Sequence, residues 1–218
     1  MPMQFHDHAR TMRRRFLSMF LGSFMIFFAL LNARYLYANV KYWVSPGTIV
    51  SNTTLTPSAF PLAPAVQFKP LPDQAQLVID HIGVNAPIIF GIRGVDDEIY
   101  KGLERGTVHY ADTVKPGMSG LSILLGHSSA YPWYKGQYGS VFALLGKMKI
   151  GDRFYIRYSD GRFFVFEVHE SIVFNPLSDD ARLAELEQNA GTSLILVSCY
   201  PVGTNYQRIA IKADLVTQ

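Results

Sequence analysis

Arg153-Phe-Tyr-Ile-Arg-Tyr158, Ser159-Asp160-Gly161, Arg162-Phe-Phe-Val-Phe166 is the stretch from which the fold follows. Aromatic and β-branched residues flank an Asp-Gly step, which accepts the positive φ that a tight strand reversal needs. The segments 153–158 and 162–174 are therefore expected to form a hairpin. Runs of the same character recur at 76–82, 84–90, 121–126, 193–199 and 206–215, alternating or continuously apolar as strands do. Two short helices are expected: 141–148 after Gly139-Ser140, and 181–188 after Ser178-Asp179-Asp180, where acidic residues suit the positive end of a helix. Seven or eight short strands with few helices predict a mainly β domain, closed or partly closed into a barrel.

The N-terminus has a different character. Arg10, Arg13, Arg14 and Arg15 precede an uncharged apolar run from 16 to 31. Its 16 residues would rise roughly 24 Å as a helix, a little short of a hydrocarbon core of about 30 Å. Tyr35, Tyr37, Tyr42, Trp43 and a snorkelling Arg34 extend its reach. Leu31-Asn32-Ala33 is a poor signal-peptidase site, because a bulky leucine stands where a small residue is wanted, so an uncleaved signal anchor is expected. The organisation read from the chain is a basic cytoplasmic tail at 1–15, a transmembrane signal anchor at 16–37, a Pro/Ser/Thr-rich stalk at 38–74 and a catalytic domain at 75–218. The arginines put the N-terminus in the cytoplasm and the rest outside, a single-pass protein in contact with membrane lipid. Prolines at 46, 57, 61, 64, 70 and 72 keep the stalk from building a core. The net charge of +3 lies partly in the arginine cluster, which leaves the outer domain near neutral and argues against nucleic acid as a partner.

Cys199 is the single cysteine of the chain. In an exported domain a lone thiol has no disulfide to form and is exposed to oxidation, so its retention points to chemistry. It ends the apolar run Thr192-Ser-Leu-Ile-Leu-Val-Ser-Cys199, just before the turn residues Tyr200-Pro201-Val202-Gly203. A buried strand cysteine is the alternative. A free thiol has a pKa near 8.5 and needs a base. Of the six histidines, His6 and His8 fall in the tail, and His81, His109 and His169 read as packing or surface residues. His127 closes the run Leu121-Ser-Ile-Leu-Leu-Gly126 as Cys199 closes its own, 72 positions away. Arg208 lies in the next strand, where a permanent cation could steady an oxyanion or a substrate carbonyl.

Gly126-His127, the Gly151-Asp152 step into a strand, Ile195-Leu-Val-Ser-Cys199 and the downstream Arg208 together resemble the sortases, membrane-anchored cysteine transpeptidases of the bacterial surface. The resemblance implies an eight-stranded, mainly antiparallel β-barrel preceded by one transmembrane helix, with His127, Cys199 and Arg208 as catalytic residues. It implies cleavage of an LPXTG-like sorting signal on a secreted protein and transfer to an amine from a cell-wall precursor or a pilin. The family's Thr-Leu-x-Thr-Cys pattern has Ile195 and Ser198 at its threonine positions here. Ser198, which keeps the hydroxyl, and Trp133, in the aromatic segment after His127, are expected to bind substrate. No second apolar span follows the domain, which leans away from pilin polymerisation.

Two other classes compete: a non-catalytic anchored barrel that binds surface peptides, and another peptidoglycan-directed thiol transpeptidase. The latter's family places Ser-His-Gly-Cys in one short motif, and no histidine adjoins Ser198-Cys199. No cofactor is expected. Asp96-Asp97-Glu98 and Asp179-Asp180 offer oxygen ligands for calcium, but such clusters are usually solvated faces, so no metal site is assigned.

Overall fold

The computed structural model describes residues 4–44, 70–92, 96–130, 134, 136–178, 185–186, 188 and 191–217. The chain divides into two compact units, 1–37 and 38–218. In the first, helix α1 (Gln4–Leu31) contains an 18-residue apolar window, Arg14–Leu31, long enough to cross a membrane. Its apolar side chains are exposed, from Phe28 at 48% to Phe16 at 74%. A helix that is apolar all round needs an apolar medium on every side. It is the candidate anchor. The Asn32 side chain donates to Phe28 O (2.9 Å) at a break, after which α2 (Ala33–Val44) begins. Residues 38–44, the first part of the expected stalk, belong to α2, where Ala38, Lys41, Tyr42 and Trp43 continue the helix ahead of the Ser45-Pro46 step.

The second unit contains a closed barrel in the order β1-β2-β3-β4-β7-β8-β6-β5. Its strands are β1 (Ala75–Ile79), β2 (Val84–Ile92), β3 (Thr107–Tyr110), β4 (Gly120–Leu125), β5 (Arg153–Tyr158), β6 (Phe163–Phe174), β7 (Thr192–Tyr200) and β8 (Gln207–Thr217). Helix α3 (Asp96–Leu103) forms the crossover that the parallel β2–β3 pairing requires. The hairpin turns at Gly161, with φ of +89°, and Tyr158 N donates to Arg162 O (2.9 Å). Strand β3 was not expected, and α3 was not assigned as a helix. The expected helix at 141–148 is instead a series of turns ending in a 3-10 turn, Leu145–Lys147. Phe142, Ala143, Leu144 and Leu145 are all buried there, four in succession, which a helix with one apolar face would not give. Most of the expected helix at 181–188 lies outside the described residues.

Strand alternation fills the interior with Leu77, Ile79, Ala86, Ile88, Val108, Leu124, Phe154, Ile156, Phe166, Leu194, Leu196, Ile209 and Ile211. The opposite face of β4, β7, β8 and β6 carries a second apolar layer. Phe174, Leu186, Ile195 and Ala210 form its buried part, with Leu121, Ile123, Ile172 and Val197 against it. That is why the run before Cys199 is continuously apolar: both of its faces are covered. Cys199 follows Ile195 and Val197 along this outer face, at the point where the apolar layer gives way to the rim.

Candidate active site

Three neighbouring strands meet at that rim. In the antiparallel β7–β8 pair, Cys199 is directly opposite Arg208, which puts their Cα atoms roughly 5 Å apart. In the parallel β4–β7 pair, Leu125 is opposite Val197. The pairing runs on past the end of β4, since Gly126 N donates to Val197 O (3.1 Å). Continued two residues beyond the Leu125–Val197 pair, that register would bring His127 beside Cys199. Ser198 strengthens the same junction. It is 3% exposed, and its hydroxyl donates to Gly126 O (2.8 Å). Gly126 is thus held to β7 through both its amide and its carbonyl.

The expectation for Ser198 changes accordingly. A residue next to Cys199 on a strand points to the other face, so the hydroxyl turns inward and braces Gly126 rather than facing the rim. Trp133 lies outside the described residues. Cys199 is partly exposed, as a side chain that meets substrate must be. The Arg208 guanidinium donates from Nη1 to Asn205 O and Gln207 O, both at 3.0 Å. Asn205 lies in the β7–β8 connection, where Thr204 Oγ1 also donates to Pro201 O (2.8 Å), and Gln207 opens β8. Among the described residues, Nη1 is the guanidinium nitrogen that makes these bonds, and it fixes the arginine to the turn.

His127 is braced from several sides. Phe142 N donates to His127 O (2.9 Å). The Phe142 ring lies over Gly126 so closely that a Cβ on that glycine would sit 2.3 Å from Cδ2. The Tyr134 ring stands nearly perpendicular to the imidazole, with centroids 5.5 Å apart. Burial pushes the imidazole below its ordinary pKa of 6.5, and the Glu104 carboxylate, just past α3, pulls the other way. The balance favours neutral imidazole at neutral pH, a form that can accept a proton. A glycine at 126 lets another segment pass close, and Phe142 is the residue that does so. Glu104 precedes His127 by 23 positions, and the sequence carries no local signal that its charge reaches the imidazole.

The other histidines have different surroundings. His109 is buried, its Nε2 2.8 Å from Val114 O, and burial lowers its pKa as well. Nε2 of His81 lies 3.2 Å from Tyr42 Oη and 3.7 Å from Asp152 Oδ2. Among the described residues no group of three or more His, Cys, Asp or Glu side chains is placed to hold a metal ion. Asp97 and Glu98 are exposed, and Asp179 and Asp180 lie outside the described residues.

The segment 77–216 matches a family model described as the Sortase domain. The chain is 30% identical over 155 residues to Sortase D of Bacillus subtilis (strain 168), covering 69% of this chain and 68% of that protein. Among solved structures, sortase C1 of Streptococcus agalactiae superposes with a TM-score of 0.54 at 25% identity, over 67% of this chain and 69% of the other. Sortase C-1 of Actinomyces oris gives 0.52 at 29% identity, over 66% and 73%.

Proposed function

The chain belongs to the sortase family, membrane-anchored transpeptidases of proteins that carry a sorting signal, and we propose that its chemistry runs through Cys199, His127 and Arg208. Neutral His127 accepts the thiol proton as Sγ attacks the carbonyl carbon of the threonine in an LPXTG-like signal. Negative charge develops on the carbonyl oxygen, and Arg208, held by its turn, donates to that oxygen or to the adjacent peptide. The C–N bond breaks, the His127 imidazolium gives its proton to the departing glycine amine, and a thioester on Cys199 remains. A surface amine, from a cell-wall precursor or a pilin lysine, then attacks the thioester. It yields its proton to His127, and the thiol is regenerated as the new amide forms.

The observation that supports this most strongly is the shared rim: a cysteine opposite an arginine on one side, and a glycine-histidine step bonded alongside on the other. Ser198 acts in this scheme as a brace. Helix α1 serves as the signal anchor, with the arginine-rich tail inside the cell and the barrel outside. Confinement of enzyme and substrate to one surface raises their effective concentration. Family membership disfavours a different class of peptidoglycan thiol enzyme. Replacing Cys199 with Ala in the full-length protein, in detergent micelles, is expected to abolish cleavage of a sorting peptide while circular dichroism and thermal midpoint stay unchanged. Undiminished cleavage by that variant would refute the assignment, and loss of the barrel fold would show the cysteine to be a packing residue.

A further inference from the structure

Tyr134 stands in the connection after His127 and is held at several points. Its hydroxyl donates to Leu103 O (3.0 Å), at the C-terminal end of α3. Its ring occupies a slot shaped by two glycines. A Cβ on Gly136 would lie 2.5 Å from the phenolic oxygen and 2.6 Å from Cε1, and one on Gly139 would lie 2.8 Å from Cδ1. Neither glycine has the positive φ that would explain it by backbone conformation; what both positions require is room for the ring. The ring in turn stands perpendicular to the His127 imidazole at 5.5 Å, an edge-to-face distance at which aromatic pairs attract.

We propose that Tyr134 is a positioning residue for His127, an aromatic wall hung from α3 that fixes the plane of the imidazole and keeps water from one side of it. This rests on the reading of His127 as the proton carrier. The glycines are the counterpart of the wall: without them the ring could not reach the imidazole. The elements that meet here carry Asp97, Glu98, Tyr100 and Lys101 on α3, Glu104 and Arg105 after it, Cys199 and Tyr200 on β7, and Arg208, Lys212 and Asp214 on β8. Of these, Glu104 acts on the imidazole, in the direction opposite to burial. Removing the ring therefore hydrates His127, which lifts the burial that lowers its pKa, while the Glu104 carboxylate still acts in the raising direction.

The test uses full-length protein in detergent micelles, labelled with 13Cε1-histidine, with the His127 signal assigned by its loss in His127→Gln. The titration midpoint of His127 and the kinetics of sorting-peptide cleavage are measured for wild type, Tyr134→Phe, Tyr134→Leu and Gly136→Ala. Tyr134→Phe keeps the ring and is expected to retain the wild-type midpoint, with kcat within about threefold for the lost hydroxyl bond. Tyr134→Leu is expected to move the midpoint up towards 6.5 and to lower kcat by about tenfold with KM within about twofold, the pattern of a misdirected proton carrier. Gly136→Ala, which displaces the ring without removing it, shifts the midpoint in the same direction and decides the matter if Tyr134→Leu does not fold. A folded Tyr134→Leu or Gly136→Ala protein with an unmoved midpoint overturns the proposal, whatever its activity. Should the wild type cleave no sorting peptide, the catalytic assignment falls separately, while the titration still decides what Tyr134 does to His127.

Discussion

Gly126→Ala puts the architecture under its sharpest strain. The new Cβ would lie 2.3 Å from Phe142 Cδ2, whereas ordinary contact begins at 3.4 Å, so 3.4 − 2.3 gives about 1.1 Å of forced movement. Phe142 is 1% exposed and has little space to retreat into. The backbone of Gly126 is bonded to Val197 O and to the Ser198 hydroxyl. Overpacking of this kind costs about 1–3 kcal/mol of stability. Because His127 is the next residue and shares the Phe142 amide, part of the movement reaches the imidazole. A misplacement of about 1 Å costs on the order of 100-fold in rate. Urea denaturation should report the first effect, and kcat/KM on a sorting peptide the second. Pairing the change with Phe142→Leu, which makes room, should recover part of both, as expected for residues in contact. A Gly126→Ala protein with wild-type stability and activity would show that the ring does not seat this strand end.

Further outcomes follow from the same contacts. Ser198→Ala removes the donor to Gly126 O and leaves a buried acceptor without it; a loss of about 1–3 kcal/mol is expected in chemical denaturation, and no change would mean the hydroxyl braces nothing. His127 and His109 both have pKa values held below 6.5 by burial, so the folded protein binds fewer protons than the unfolded chain in acid. Stability should therefore fall as pH drops below about 6.5 and level off once the folded-state values are passed. Thermal midpoints across that range will show the slope, and His109→Gln should reduce it; an unchanged slope would remove His109 from the explanation.

Much of the barrel was legible because its strands announce themselves: the 153–166 hairpin by aromatic alternation about Asp160-Gly161, and β4 and β7 by apolar runs that stop just before His127 and at Cys199. Strand β3 escaped notice because Thr107–Tyr110 is four residues long, too short to show a period. The 141–148 segment has helix-like spacing, yet Phe142 to Leu145 are buried in succession, and that packing overrode its local preference. At the site, Cys199, His127 and Arg208 could be found as strand-end residues. The inward turn of Ser198 follows from alternation alone and was knowable. Glu104, Tyr134 and the pressing of Phe142 on Gly126 depend on contacts between residues far apart in the chain, which no local pattern encodes.

Mass spectrometry of the full-length protein mixed with a small library of LPXTG-like peptides tests the central chemistry most directly. One member should leave an acyl adduct on Cys199, equal in mass to the peptide through its threonine less one water, released by hydroxylamine and missing from the Cys199→Ala protein. Peptide cleavage that proceeds without an adduct at Cys199, or that persists in the alanine variant, would contradict thioester transfer through this residue.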